Sequence, residues 1–251
     1  MSSYFLDTNV LVGYTFLHNR WQDHTQRLMS TNNTLYTGET TKYEYCVKRQ
    51  PGPRNGVPLD WSKEDGVVGT VKRNLRKYKR LTVLELESKD ESELDPETVS
   101  EVFIDEFDVE EQIEHKVENY FKKELEQDCT LTDVEETLNK LINRINTTSL
   151  DRKDELRKRL KVRPRRSRSD YSNQIEQLTH LIEGNREEYC ADAHVLCDAM
   201  DLKNRRIINK IVSGDKGDMY SNRGEIDAIT SLSVVYLKDE FARKPDPQST
   251  D

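Results

Sequence analysis

Four carboxylates could share one site: Asp7 and Asp215 at the ends of two apolar runs, and Glu44 and Asp192 on two helical stripes. In open α/β sheets, ligands collect where strands end and helices begin, so an acid at such a junction is a site candidate. Asp7 closes the apolar run Tyr4-Phe5-Leu6 and precedes Thr8-Asn9-Val10-Leu11. That pattern reads as a strand that stops and a helix that starts, with Thr8 or Asn9 as the cap. Asp215 stands in Ser213-Gly214-Asp215-Lys216-Gly217-Asp218, after the apolar run that ends at Ile211-Val212. Its glycines permit close backbone approach. Glu44 lies one helical turn from Val47, beside the stripe of Tyr43 and Cys46. A carboxylate leaning on a buried edge needs a partner, a proton or a metal. Asp192 lies beside the stripe Tyr189, Ala193, Leu196 and Met200. Two of the acids also have a plainer reading. Asp7 suits a turn or cap, Glu44 can pair with Lys48 at i+4, and Glu39 competes with Glu44.

The elements that must hold these acids follow from hydrophobic period and turn chemistry. Strands are expected over residues 4–7, 34–37, 81–86, 206–212 and 232–237. Composition shifts at Glu87, and residues 87–136 are strongly acidic. Asp95-Pro96 starts a helix with Pro in its first position. Asp108–Glu111 and Thr132–Glu135 read as capping boxes, the second leading into Leu138, Leu141, Ile142 and Ile145. Leu150, Leu156 and Leu160 suggest a shorter charged helix. Lys161 to Ser169 is basic, turn-rich and expected to be mobile, and Gly184 ends the next helical stripe. The division implied is a core of residues 1–86 and 170–240, a charged helical insertion over 87–169, and a polar tail over 241–251.

The formal net charge of −8 argues against a simple basic nucleic-acid-binding protein, although local charge outweighs the sum. No apolar segment resembles a signal peptide or a membrane span, so a cytoplasmic protein is expected. Cys46, Cys129, Cys190 and Cys197 form no CxxC pair and read as buried thiols in a reducing compartment. His194 reads as a helix-surface or core residue. The amphipathic segment around Val68, Val71, Leu75 and Tyr78 carries a basic opposite face, including Arg73 and Lys77. Such a face is either solvated or follows a phosphate backbone. Arg163, Arg165, Arg166 and Arg168 form a second anion candidate, although the acidic block could instead lie against them.

Taken together, Phe5-Leu6-Asp7-Thr8-Asn9-Val10-Leu11, Glu44, Asp192-Ala193-His194-Val195-Leu196 and Ile211-Val212-Ser213-Gly214-Asp215-Lys216-Gly217-Asp218 resemble the PIN-domain nuclease family, with a VapC-like core. The resemblance covers about residues 1–86 and 170–240, and the middle of the chain departs from the compact form. It implies a three-layer α/β/α sandwich with a central, mostly parallel sheet. It also implies an acidic pocket that binds Mg²⁺ or Mn²⁺ and hydrolyses RNA phosphodiesters. On that reading Asp7, Asp192, Asp215 and Asp218 bind metal directly or through water. Glu44 completes the catalytic set or orients the attacking water, while Asn9 and Ser213 hold the carboxylates in place. RNA is the expected partner, with an antitoxin or other protein partner, or a second copy of the chain, as further candidates. The competing readings are a toxin held by an antitoxin, a non-cleaving RNA-binding scaffold on the same fold, and a phosphoryl-handling receiver-type protein. The last would need a supporting Lys at a matching strand end.

Overall fold

The computed structural model describes residues 2–17, 19–47, 60–89, 94–107, 109, 111–166, 170–183 and 189–242. Two compact units divide the chain: Met1–Val68 with Asp151–Asp251, and Gly69–Leu150. Both divisions fall inside helices, rather than at the composition change at Glu87.

The first unit begins with β1 (Ser3–Leu6), α1 (Thr8–Thr15), α2 (Gln22–Ser30), β2 (Thr34–Thr37) and α3 (Glu39–Cys46). Helix α4 (Val67–Glu87) then starts, followed by α5 (Pro96–Glu106), α6 (Glu111–Glu124) and α7 (Leu131–Arg159). The remainder is β3 (Lys161–Val162), α8 (Ser172–Glu183), α9 (Ala191–Asn204), β4 (Lys210–Ser213), α10 (Arg223–Thr230), β5 (Ser233–Tyr236) and α11 (Leu237–Glu240). A π-helical turn, Lys216–Tyr220, follows β4.

All five strands run parallel in the order β3-β2-β1-β4-β5. Phe5 pairs with Tyr36 on one side and Ile211 on the other. The consecutive apolar residues Tyr4-Phe5-Leu6 of β1 and Ile211-Val212 of β4 suit a parallel sheet covered on both faces. Phe5, Ile211 and Val234 pack with Leu178 of α8, Val195, Leu196 and Ala199 of α9 and Ile226 of α10. Neighbouring residues on a strand point oppositely. Accordingly Tyr4 meets Phe241, just beyond α11, edge-on at 6.0 Å.

The second unit has its own core. Val83 and Leu86 of α4, Val99 and Phe103 of α5, Phe121 of α6 and Leu138 of α7 pack together. Asp95 caps α5 through a 2.7 Å bond from Thr98 N–H, with Pro96 first in the helix.

Several local expectations are corrected. Residues 81–86, expected as a strand, are the last turns of α4. Leu75, Thr82, Val83 and Leu86 are buried at helical spacing, and the Thr82 hydroxyl donates to Tyr78 O at 3.0 Å. Packing against α5 to α7 overrides the β propensity of Leu-Thr-Val-Leu. The missing strand is β3, from the tract expected to be mobile. Arg163 N–H extends the pairing to Thr37 O at 2.9 Å. The box that starts α7 is Thr130 with Asp133, two residues early: the Thr130 N–H and hydroxyl donate to Asp133 Oδ2, and Asp133 N–H returns to Thr130 Oγ1. Leu150 and Leu156 lie on this same long helix rather than a separate one. At α1 the cap is Asp7 itself, not Thr8 or Asn9. Gly184, Lys48, Asp108, Glu110, Arg168 and the tail from residue 243 lie outside the described residues. All four cysteines are buried and unpaired.

Candidate functional site

The strand order fixes where a site can form. From β1 the chain builds outward to β2 on one side and later to β4 on the other, so the topological switch lies between β1 and β4. Helices leaving two such strands diverge to opposite faces and open a crevice at the strand ends. Asp7 follows β1 and Asp215 follows β4.

Asp7 is held by a dense set of donors. Its Oδ1 accepts Thr8 N–H at 2.6 Å, and its Oδ2 accepts the Asn9 amide and the Ser213 hydroxyl, both at 2.8 Å. Ser213 Oγ in turn accepts Asp215 N–H at 2.9 Å, and Gly214 N–H donates to Asn9 Oδ1 at 2.7 Å. Asn9 and Ser213 therefore stitch the end of β1 to the end of β4. Asp215 caps the π-helical turn by accepting Asp218 N–H at 2.9 Å. π turns are rare and cluster at functional sites.

Glu44 reaches the same crevice from α3. It is buried, and its Oε2 accepts the Thr8 hydroxyl at 2.6 Å. Glu39, the rival acid, starts α3 and does not line the crevice. Asp192 enters from the first turn of α9. The crevice holds about 600 Å³ and is lined by Asp7, Glu44, Asp192 and Asp215, among others.

Burial and the neighbouring Glu44 carboxylate push the Asp7 carboxyl up from 3.8 to about 7, against the opposing bonds from Ser213 and Thr8. Two carboxylates in one dry pocket cannot both ionise cheaply unless a cation joins them.

Carboxylate oxygens of Asp192, Asp215 and Asp218 lie within 4.8 Å of one another. Ligands on one Mg²⁺ at about 2.1 Å stand at most about 4.2 Å apart, so small side-chain adjustments would bring the set onto one ion. All three donors are hard oxygens, the type that Mg²⁺ and Mn²⁺ take. The residues fit the metal. Asp7 lies outside this set of three, and both its oxygens accept hydrogen bonds from Thr8, Asn9 and Ser213. It reaches an ion there through water more readily than directly.

The basic residues expected to contact nucleic acid separate into different fates. Arg165 donates through Nε and Nη2 to Asp198 Oδ1 at 2.9 and 2.7 Å, and through Nη2 to His194 O at 3.0 Å. It neutralises a buried acid, so its assignment as a phosphate ligand is corrected. Arg163 and Arg166 are exposed. In the second unit Arg73 and Lys77 are exposed on α4. Tyr78, near them, packs on Phe107 at 5.2 Å. Arg76, Lys79 and Arg80 line a groove of about 550 Å³ with Asn139 and Asn143 of α7. The structure also adds Thr8, Arg20, Trp21, Lys216 and Lys238 to the crevice wall. Lys216 and Lys238 follow strand ends just as Asp7 and Asp215 do, so the rule that found the acids also reaches these cations.

Comparison of the chain with family models, curated proteins and solved structures gives no match. No helix among the described residues is long and apolar enough to cross a membrane.

Proposed function

We propose that the chain is a metal-dependent ribonuclease of PIN-like type. The observation that carries this reading is the meeting of Asp7, Glu44, Asp192 and Asp215 in one crevice at the switch of a parallel 3-2-1-4-5 sheet. Asp192, Asp215 and Asp218 hold Mg²⁺ or Mn²⁺. When bound, such an ion would supply an acidified water and charge neutralisation at a phosphoryl oxygen. Glu44, which accepts the Thr8 hydroxyl on the crevice wall, would orient the attacking water. Asp7 keeps the Ser213 and Asn9 bridge closed and adds negative charge behind the ligands, as outer groups do at metal sites.

The test is cleavage of single-stranded RNA with Mg²⁺, Mn²⁺ or chelator, run beside thermal unfolding. Divalent ion raises the melting temperature by mass action, because it binds only the folded chain. Ser213→Ala lowers turnover by about 10- to 100-fold through the orienting shell, and Asp215→Asn lowers it further. Metal-independent stability with no cleavage of any RNA would leave a non-cleaving scaffold as the better account.

A further inference from the structure

The crevice is lined by groups of both charges: the acids Asp7, Glu44, Asp192 and Asp215, and the cations Arg20, Lys216 and Lys238 together with Trp21. The three cations come from separate elements: the segment before α2, the π-helical turn after β4, and α11. Trp21 is buried and organises two of them. The Arg20 guanidinium carbon stands 4.7 Å from its ring centroid and Lys238 Nζ 5.0 Å. Tyr236, at the end of β5, holds the indole edge-on at 5.9 Å. Gly214 brings the indole against the exit of β4: a Cβ there would stand 2.8 Å from Trp21 Cε2 and 2.9 Å from Nε1. The backbone that aims Asp215 therefore also seats the indole beneath Arg20 and Lys238.

An all-acidic crevice repels a polyanion. Cations in the same crevice offset that repulsion locally and give a polyanion a foothold. We infer that Arg20, Lys216 and Lys238 form a phosphate clamp for a single-stranded phosphodiester chain, gripping a phosphate adjacent to the one at the acids. This rests on the nuclease reading for the acids, but the clamp itself is a binding site and is measured as one. A crevice of about 600 Å³ is a small-ligand volume, matched to one or two nucleotides of a separated strand.

The experiment measures binding of a 5′-fluorescein oligouridylate by anisotropy in MgCl₂. The Asp215→Asn background prevents turnover from consuming the probe. Arg20→Ala and Lys238→Ala each weaken binding about five- to tenfold, and each flattens the dependence of log K on log salt by about 0.7, the single-strand value for one phosphate contact. Arg20→Lys retains most of the affinity. Lys203→Ala, the same charge change at the C-terminal end of α9, alters neither quantity. Unlabelled duplex RNA competes poorly. Equal binding of oligothymidylate assigns the contact to the phosphodiester backbone, and tighter binding of the RNA names RNA as its source. Arg20→Ala and Lys238→Ala variants that bind like their background, or a duplex that competes as well as the single strand, overturn the clamp. If the clamp variants lose binding but wild-type protein cleaves nothing, the nuclease reading fails and the clamp stands.

Discussion

Asp7 is a buried acid beside another buried acid, Glu44. Burial and Glu44 raise its carboxyl to about 7 from 3.8, so the metal-free folded chain holds a proton there that the unfolded chain releases. The sign follows from linkage: where the folded state binds more protons, stability falls as pH rises. Asp7 thus stabilises the metal-free protein fully below pH 3.8, and that contribution is lost as pH climbs through about 7. A shift of this size corresponds to about 4 kcal/mol for one fully buried group. Chemical denaturation with EDTA should show stability declining over that window, and Asp7→Asn should flatten the decline. Mg²⁺ should stabilise wild type more at pH 7.5 than at pH 5, since the Asp7 carboxyl behind the ligands loses its proton over that range and its negative charge then favours the cation. A pH-independent wild-type stability would remove Asp7 from the shared pocket.

At the scale of elements, the basic tract after α7 divides by contact rather than by charge. Arg165 is the partner of Asp198, whose Oδ2 also accepts Thr40 N–H at 3.1 Å. Arg165→Ala leaves a buried carboxylate without its cation, a change worth about 3–5 kcal/mol. A large fall in melting temperature is expected for Arg165→Ala, and almost none for Arg163→Ala or Arg166→Ala. Similar small effects in all three would mean that the tract acts only as a solvated charge run. This division was not legible beforehand, because four arginines in one run look alike until one of them meets a buried acid. The strand at β3 was hidden for a related reason: two residues carry no period. Leu81 to Leu86 showed a strand-like pattern, yet Phe103, Phe121 and Leu138 offered its apolar side chains a helical surface instead.

At the scale of the whole molecule, two cores are built from different residues. The sheet core gathers around Phe5, Ile211 and Leu196, and the helical core around Phe103, Phe121 and Leu138. Phe121→Ala should cost about 3–5 kcal/mol in the second core. Hydrogen exchange should rise across residues 69–150 while the amides of β1 and β4 keep their protection. Uniform loss of protection along the chain would show that the two cores unfold as one. The sequence by itself determined the parts with strong local signals: acids at the ends of two apolar runs, the Asp95-Pro96 helix start and four buried thiols. Only the tertiary structure decided which groups meet. Thr8 finds Glu44, Arg165 finds Asp198, and Trp21 lies against Gly214 because strand order and close packing, not nearness along the chain, determine a side chain's neighbours.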